Sequence, residues 1–306
     1  MPDPLVEQLR VACVGTVTAQ APLAPMTTLR VGGAARVMVT AESDADLTAV
    51  AVASDAHDVP VLVLGRGSNI LVADTGWSGI ALVLGRGFRG IDVTASPDGG
   101  ATVRVGAGEP LPAVAVMTGA EGLGGFAWGV GVPGTVGGAV RMNAGAHQGE
   151  MSDVLVEVDL FRRSSRTRES WPVALLGLGY RSSSMPWDAL VVSATLQLPP
   201  AAAGEVKAAL AEVRRWRQEH QPLEHPNCGS VWRNPVDDAA GRLIDAAGLR
   251  GHRVGGAMVS TKHANFVTTE PGGTAADVLA VMEHVHATVL DAYGVDLVSE
   301  LVVVGR

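Results

Sequence analysis

Residues 129–146, GVGVPGTVGGAVRMNAGA, set the tightest limit on how this chain can fold. Gly129, Gly131, Gly134, Gly137, Gly138 and Gly145 crowd around Pro133, between two ordinary apolar segments. Glycine gives up more backbone freedom on folding than any other residue, so such a cluster marks turns, positive-φ positions or backbone drawn close to a ligand. The stretch is therefore either an irregular loop or main chain wrapped around something bound. The 38 glycines of the 306 residues show no period of three and no low-complexity run, which excludes a collagen-like or disordered chain. A hydrophobic content of 47% supplies ample core, and the length allows one large domain or two to three small ones.

The formal net charge of −8 argues against a nucleic-acid binder, whose affinity rests on a dominant basic surface. Residues 201–260 nevertheless carry a small positive balance, through Lys207, Arg214, Arg215, Arg217, Arg233, Arg242, Arg250 and Arg253. A locally basic patch in an acidic protein suits an anionic small molecule, or is simply a solvated helix face. Cys13 and Cys228 make no disulfide framework and lack metal-ligand spacing. The opening MPDPLVEQLRVACVG has Asp3 and Glu7 where a signal peptide needs positive charge, and no apolar run reaches the ~18 residues of a membrane span. The expectation is a cytoplasmic protein with no membrane partner.

Along the chain, alternating apolar residues in TTLRVGGAARVMVTA predict a strand, and SDADLTAVAVASDAHDVP a helix opened by a Ser43/Asp46 capping box and closed before Pro60. VPVLVLGRGSNILVAD then reads as a strand running into a glycine loop, and GIALVLG as a further strand. A hairpin closes around Asp98, Gly99 and Gly100, and a helix follows through PLPAVAVMTGAEGL. Strands resume at VLVEVDLFRR and ALVVSATLQLPP, and Pro199-Pro200 marks a boundary. GEVKAALAEVRRWRQEHQ puts Val206, Leu210 and Val213 on one helical face. The last helix has a Thr274/Asp277 capping box, a stripe of Val278, Val281, Met282, Val285 and Val289, and Gly294 as its stop. VDLVSELVVVG closes as a strand, giving an α+β chain.

The dinucleotide fingerprint G-x-G-x-x-G between strand and helix is absent, as are the P-loop and the G-x-S-x-G elbow. Gly65, Arg66, Gly67, Ser68 and Asn69 offer successive N–H groups, a hydroxyl and an amide, a concavity for a pyrophosphate or a plain turn. His284 and His286 stand two apart and point to different faces, and the other histidines form no spaced set, so no metal site is expected. In VDLVSELVVVG both parities are apolar, which predicts a strand buried on both faces and either a buried Glu300 that must be paired or protonated or a Glu300 at a strand end in solvent. Arg181 in GLGYRSSSMP and Ser230 in PNCGSVWRNP lie in glycine-marked loops, where catalytic residues and turn residues both collect.

Seven segments in order, TTLRVGGAA, LGRGSNILVAD, GVPGTVGGAVRMNAGA, GYRSS, QPLEHPNCGSVWRNP, AGRLIDAAGLRGHRVGGAMVSTKHANFV and the closing SE, span residues 27–301. Together they resemble the UDP-N-acetylenolpyruvoylglucosamine reductases. The resemblance implies a flavoenzyme of peptidoglycan synthesis in which NADPH reduces FAD and the flavin reduces the enolpyruvyl ether of UDP-N-acetylglucosamine to the lactyl ether, UDP-N-acetylmuramate. It implies an α+β FAD-binding fold of the vanillyl-alcohol-oxidase type in two subdomains, residues 1–88 and 89–200, with a substrate-binding domain over 201–306. A monomer of the compact subclass, lacking the substrate-closing tyrosine loop, is expected.

By motif position the resemblance makes Ser230 the acid that protonates the substrate carbon after hydride delivery. Arg181 and Glu300 become the groups that hold the substrate carboxylate and the enolate-like charge. A cation and a protonated carboxyl suit such charge, so a raised pKa is expected for Glu300. The FAD contacts carry over to Gly65, Arg66, Gly67, Ser68 and Asn69, to Val132, Pro133, Gly134, Thr135, Gly137 and Gly138 in a stretch whose main-chain N–H groups from 132 to 138 face the cofactor, to Asn143, and to Arg217 beside the phosphates. Tyr180, Arg233 and Asn234 become substrate contacts. The chain departs from the family's pattern at Arg233 and His220, where Lys is usual, at Trp232, where Phe is usual, and in the Leu-Val-Ser before Glu300.

Overall fold

A computed structural model describes residues 3–305. The chain divides into two compact units that are discontinuous in sequence: Met1–Ala19, Val37–Arg66 and Gly79–Trp216 form the larger, and Gln20–Arg36, Gly67–Ser78 and Arg217–Arg306 the smaller.

The larger unit has two cores. The first lies under helices α1 (Pro4–Ala12) and α2 (Asp44–His57), against a four-stranded sheet ordered Thr16–Pro22, Ala34–Ala41, Trp77–Leu84, Val61–Val63. Strand Ala34–Ala41 alternates strictly between buried and half-buried positions, as its period-2 pattern requires. At the start of α2, the Ser43 hydroxyl accepts the Asp46 N–H as expected. The Asp46 carboxylate does not complete the box: fully buried, it accepts the Val14 and Glu42 N–H groups at 2.7 Å each. It ties α1's exit to α2's entrance instead.

The second core lies on an antiparallel five-stranded sheet ordered Thr167–Pro172, Leu155–Arg162, Ala189–Leu198, Ala101–Gly106, Ile91–Ala95. The expected hairpin closes at Gly99, φ 86°, with the Gly100 N–H on the Asp98 carboxylate. Helices α3 (Leu111–Ala120) and α4 (Val136–Arg141) cover one face, and the third, α5 (Ala203–His220), adds Val206, Leu210 and Val213 as its periodicity requires. Val206 and Leu210 seat directly on Gly119, where a Cβ would stand 2.9 Å from Val206. Strand Ala189–Leu198 serves both cores, with Leu190 and Val192 in the first and Val191, Ala194, Leu196 and Leu198 in the second.

The smaller unit packs helices α6 (Ala240–Ala246) and α7 (Ala275–Tyr293) on an antiparallel sheet ordered Asn227–Ser230, Phe266–Thr269, Ala257–Val259, Arg253–Val254. In α7 the box of Thr274 and Asp277, the buried stripe and the left-handed Gly294 cap (φ 68°) all form as expected. Each stripe valine contributes about 1.5 kcal/mol of apolar burial. The C-terminal strand is shorter than expected: only Val302–Val304 pairs, in parallel, with Ile70–Val72. Before it the chain makes only a single bridge, Ser299 to Trp232, and Val298 there and Val302 in the strand are exposed at 56% and 44%. Apolar residues at both parities thus do not signal burial on both faces here. They reflect a segment with a single neighbour, and Glu300 is half-buried rather than buried.

Among the described residues no helix is long and apolar enough to cross a membrane, and no group of three or more His, Cys, Asp or Glu is placed to hold a metal ion.

Candidate active site

Both glycine loops contribute backbone donors that the protein itself does not use. In the larger unit Gly65 lies directly against Thr135: a Cβ on Gly65 would sit 2.6 Å from the Thr135 hydroxyl, so only glycine lets the two loops touch. Among the described residues, the N–H groups of Gly134 and Thr135 donate to no protein acceptor, and neither do those of Gly65 and Arg66. Adjacent main-chain N–H groups without acceptors form an anion-binding concavity. The remaining donors of the second loop are spent internally, and this narrows the cradle expected over residues 132–138. Val132 N–H goes to Gly129, Val136 to Glu109, and Gly137 to Ala107, each at 2.9–3.2 Å. Gly137 is required for packing, since its Cβ would meet that of Ala107 at 3.1 Å. Pro133 brings no donor, and Gly138 gives its N–H to the Thr135 hydroxyl at 3.4 Å.

Asn143 has a structural duty beside the second loop. Its side chain is 1% exposed and faces protein, donating to the Gly179 carbonyl at 3.1 Å and accepting the Ser152 N–H at 2.9 Å. It anchors the turn from Gly179 to Ser182, whose backbone groups bond each other in both directions and present Tyr180 and Arg181 at the tip. Arg181 adopts φ 51°, a left-handed conformation that costs a non-glycine residue about 1 kcal/mol and that clusters at functional sites. Its guanidinium donates to the Gly145 carbonyl at 2.7 Å and lies 5.0 Å from the Tyr180 ring. The two loops are therefore cross-tied, and Tyr180 is half exposed.

In the smaller unit Gly67 turns at φ 61° with its backbone pressed on Met26, whose carbonyl a Cβ would meet at 2.3 Å. The N–H groups of Gly67, Ser68 and Asn69 also donate to no acceptor among the described residues. Asn69 instead uses its side chain, donating to the Glu300 carbonyl at 3.1 Å, while its own carbonyl accepts the Val302 N–H.

Ser230 ends the strand Asn227–Ser230 after a bulge in which Gly229 takes φ 77° and donates its N–H to the Asn227 side chain. A bulge re-aims the next side chain. The Ser230 hydroxyl makes no hydrogen bond within the described protein. Beyond it the chain runs beside residues 298–301: Glu300 N–H donates to the Val231 carbonyl at 2.8 Å, and Arg233 N–H to the Val298 carbonyl at 2.9 Å. Val231, Arg233, Glu300 and Asn69 thus share one bonded stretch that begins directly after Ser230. Burial pushes the nearby Cys228 thiol up to about 12. Such a thiol stays protonated and unreactive at neutral pH, like Cys13 at about 11.

Asn234 is exposed and accepts the Ala240 N–H at 3.1 Å, steadying the entrance of α6. Arg217, on α5, is half-buried; burial lowers its affinity for the proton without discharging it, and its Nε donates to the Gln221 side chain.

One residue of structural consequence carries no role in the sequence reading. Asn265 is 3% exposed and bonds both backbone groups of Trp232. The signal was a lone amide between Ala264 and Phe266 in an otherwise apolar run.

Comparison with known proteins places these features in a family. Residues 221–304 match the sequence model of the UDP-N-acetylenolpyruvoylglucosamine reductase C-terminal domain, and residues 35–169 match that of an FAD binding domain. A UDP-N-acetylenolpyruvoylglucosamine reductase of an Anaeromyxobacter species is 42% identical over 95% of this chain and 90% of its own length. A second such reductase, from Symbiobacterium thermophilum, is 38% identical over 99% of this chain and 98% of its own. The crystal structure of UDP-N-acetylenolpyruvylglucosamine reductase from Thermus caldophilus superposes with a TM-score of 0.79 at 35% identity, covering 94% of this chain and 98% of that one. The α+β class and the FAD-binding fold are those the sequence led us to expect.

Proposed function

Because the chain belongs to the UDP-N-acetylenolpyruvoylglucosamine reductase family, we propose that it uses NADPH and FAD to reduce the enolpyruvyl ether of UDP-N-acetylglucosamine to UDP-N-acetylmuramate for peptidoglycan synthesis. In this reading it acts as a cytoplasmic monomer, with residues 1–88 and 89–200 holding the cofactor and 201–306 the substrate. The observation that carries the reading is the bonding of Val231 and Arg233, directly after Ser230, to residues 298–300, with Asn69 of the glycine loop on the Glu300 carbonyl.

The residues present fit FAD. Gly65 and Gly67 are positions where any side chain would collide, and the acceptorless N–H groups of both loops suit a pyrophosphate. Arg217 gains from an anion what burial takes away. Bound FAD supplies the relay that accepts hydride from NADPH and passes it to the substrate.

The chain's own residues bind, orient and protonate. Arg181 meets the substrate carboxylate, its backbone held in place by the Asn143 ties. Glu300 hydrogen-bonds the charge that develops on that carboxylate, which calls for the protonated carboxyl. Ser230, a weak acid with an uncommitted hydroxyl, gives its proton to the carbanionic carbon, a transfer that succeeds only against a strongly basic intermediate and at close range. Tyr180, Arg233 and Asn234 hold the nucleotide-sugar part. His220 stands at a usual Lys position and lends a positive charge only when protonated.

Incubation with NADPH and the enolpyruvyl ether should yield the lactyl ether, with one NADPH consumed per ether reduced. NADPH consumption that leaves the ether intact contradicts the proposal.

A further inference from the structure

We propose that Asn265 is a positioning residue for the reaction: its buried carboxamide clamps the Trp232 peptide and so fixes the direction in which Ser230 delivers its proton. The inference rests on the reductase reading above, and its test is built to separate the two.

Asn265 Nδ2 donates to the Trp232 carbonyl at 2.8 Å, and its Oδ1 accepts the Trp232 N–H at 2.9 Å. Its backbone carbonyl accepts the Val231 N–H at 2.9 Å. Asn265 and Trp232 are 3% and 2% exposed, so water cannot replace these bonds. The arrangement substitutes a side chain for a strand. The ladder between Asn227–Ser230 and Phe266–Thr269 ends at the pair Ser230 and Phe266, and from there the amide of Asn265 does what a neighbouring backbone would do.

Both sides of the clamped peptide lead to the site. On the N-terminal side Ser230 is joined to the strand through Gly229, at φ 77° with no atom within 4 Å of where a Cβ would be. Before the serine, the Gly229 N–H is tied to the Asn227 side chain and Ser230 itself pairs with Phe266, so the segment after it is its second anchor. The Val231 carbonyl just before Trp232 and the Arg233 N–H just after it hold residues 298–300. A loose Trp232 peptide frees Ser230 and shifts Glu300 together. A displacement of about 1 Å at a reacting group is enough to cost on the order of 100-fold in rate.

Two variants test this, with anaerobic half-reactions of the holoenzyme and backbone hydrogen exchange as readouts. In Asn265→Ala, flavin reduction by NADPH should stay within about twofold of the parent, while reoxidation by the enolpyruvyl ether slows at least about tenfold. Exchange at Val231, Trp232 and Arg233 should accelerate, with α7 still protected. Asn265→Asp keeps the acceptor for the Trp232 N–H but turns an acceptor toward the Trp232 carbonyl until it is protonated. Its reoxidation rate should therefore recover as pH falls, in contrast to the parent.

Parental reoxidation and exchange in Asn265→Ala overturn the proposal, as does an equal loss in both half-reactions. If the alanine variant does not fold, a reoxidation rate in Asn265→Asp that fails to rise with acidity overturns it. A parent enzyme inert toward the ether contradicts the reductase reading, while the exchange rates decide the clamp by themselves.

Discussion

Ser230 bears the most direct chemical claim of any single residue. Its hydroxyl has no partner within the described protein, its backbone leaves a bulge, and its neighbour Val231 holds the Glu300 N–H. Replacing it with alanine removes one oxygen that bonds nothing within the described protein, so the fold should persist. We expect Ser230→Ala to reduce its flavin with NADPH at nearly the parental rate and to reduce substrate at least about 100-fold more slowly. Equal slowing of both half-reactions would show that the serine shapes the site without donating a proton. At this scale the sequence was only partly legible. Ser230, Arg181 and Glu300 are proposed through their motifs alone, and the bonds of Asn143 and Asn265 follow from distances that no spacing rule supplies. A buried asparagine amide can serve ligand or backbone equally well, and only the partners at 2.8–3.1 Å decide.

Elements were more legible where independent signals agreed. Helix α7 has a capping box, an apolar stripe and a stop glycine, and the structure contains all three. The terminal strand was misjudged because apolar residues at both parities also occur in an extended segment with one neighbour. Helix α7 also carries the clearest pH-sensitive contact. His284 stacks on His252 with centroids 3.9 Å apart, and His252 Nε2 is buried without a hydrogen-bond partner. Burial first, and the His284 charge second, lower the His252 pKa below its ordinary 6.5. A histidine whose folded pKa is lowered leaves stability intact above the unfolded value. It removes stability as pH falls through 6.5 toward the folded value, because the unfolded chain takes up the proton first. His263, lowered chiefly by burial, adds to the same trend. The Tm should therefore drop between about pH 7 and pH 5, and His284→Gln should drop less over that interval. Parallel curves for parent and variant would remove the stacked pair from the account.

For the whole molecule, the division into units was the least legible feature. Residues 20–36 and 67–78 leave the N-terminal region to join residues 217–306, because strand Ile70–Val72 pairs with Val302–Val304 rather than with its sequence neighbours. Periodicity is a local signal, and a parallel pairing of Val302 with the distant Ile70 leaves no trace in it. What the sequence did show was the glycine loop at 65–69, where the chain passes from one unit to the other. The central claim, a flavin-relayed reduction of an enolpyruvyl sugar nucleotide, is tested most directly by absorbance of the purified holoenzyme under anaerobic conditions. NADPH should bleach the flavin band, and the enolpyruvyl ether should restore it without oxygen. A band that NADPH leaves unchanged, or that returns only when oxygen is admitted, would contradict the account.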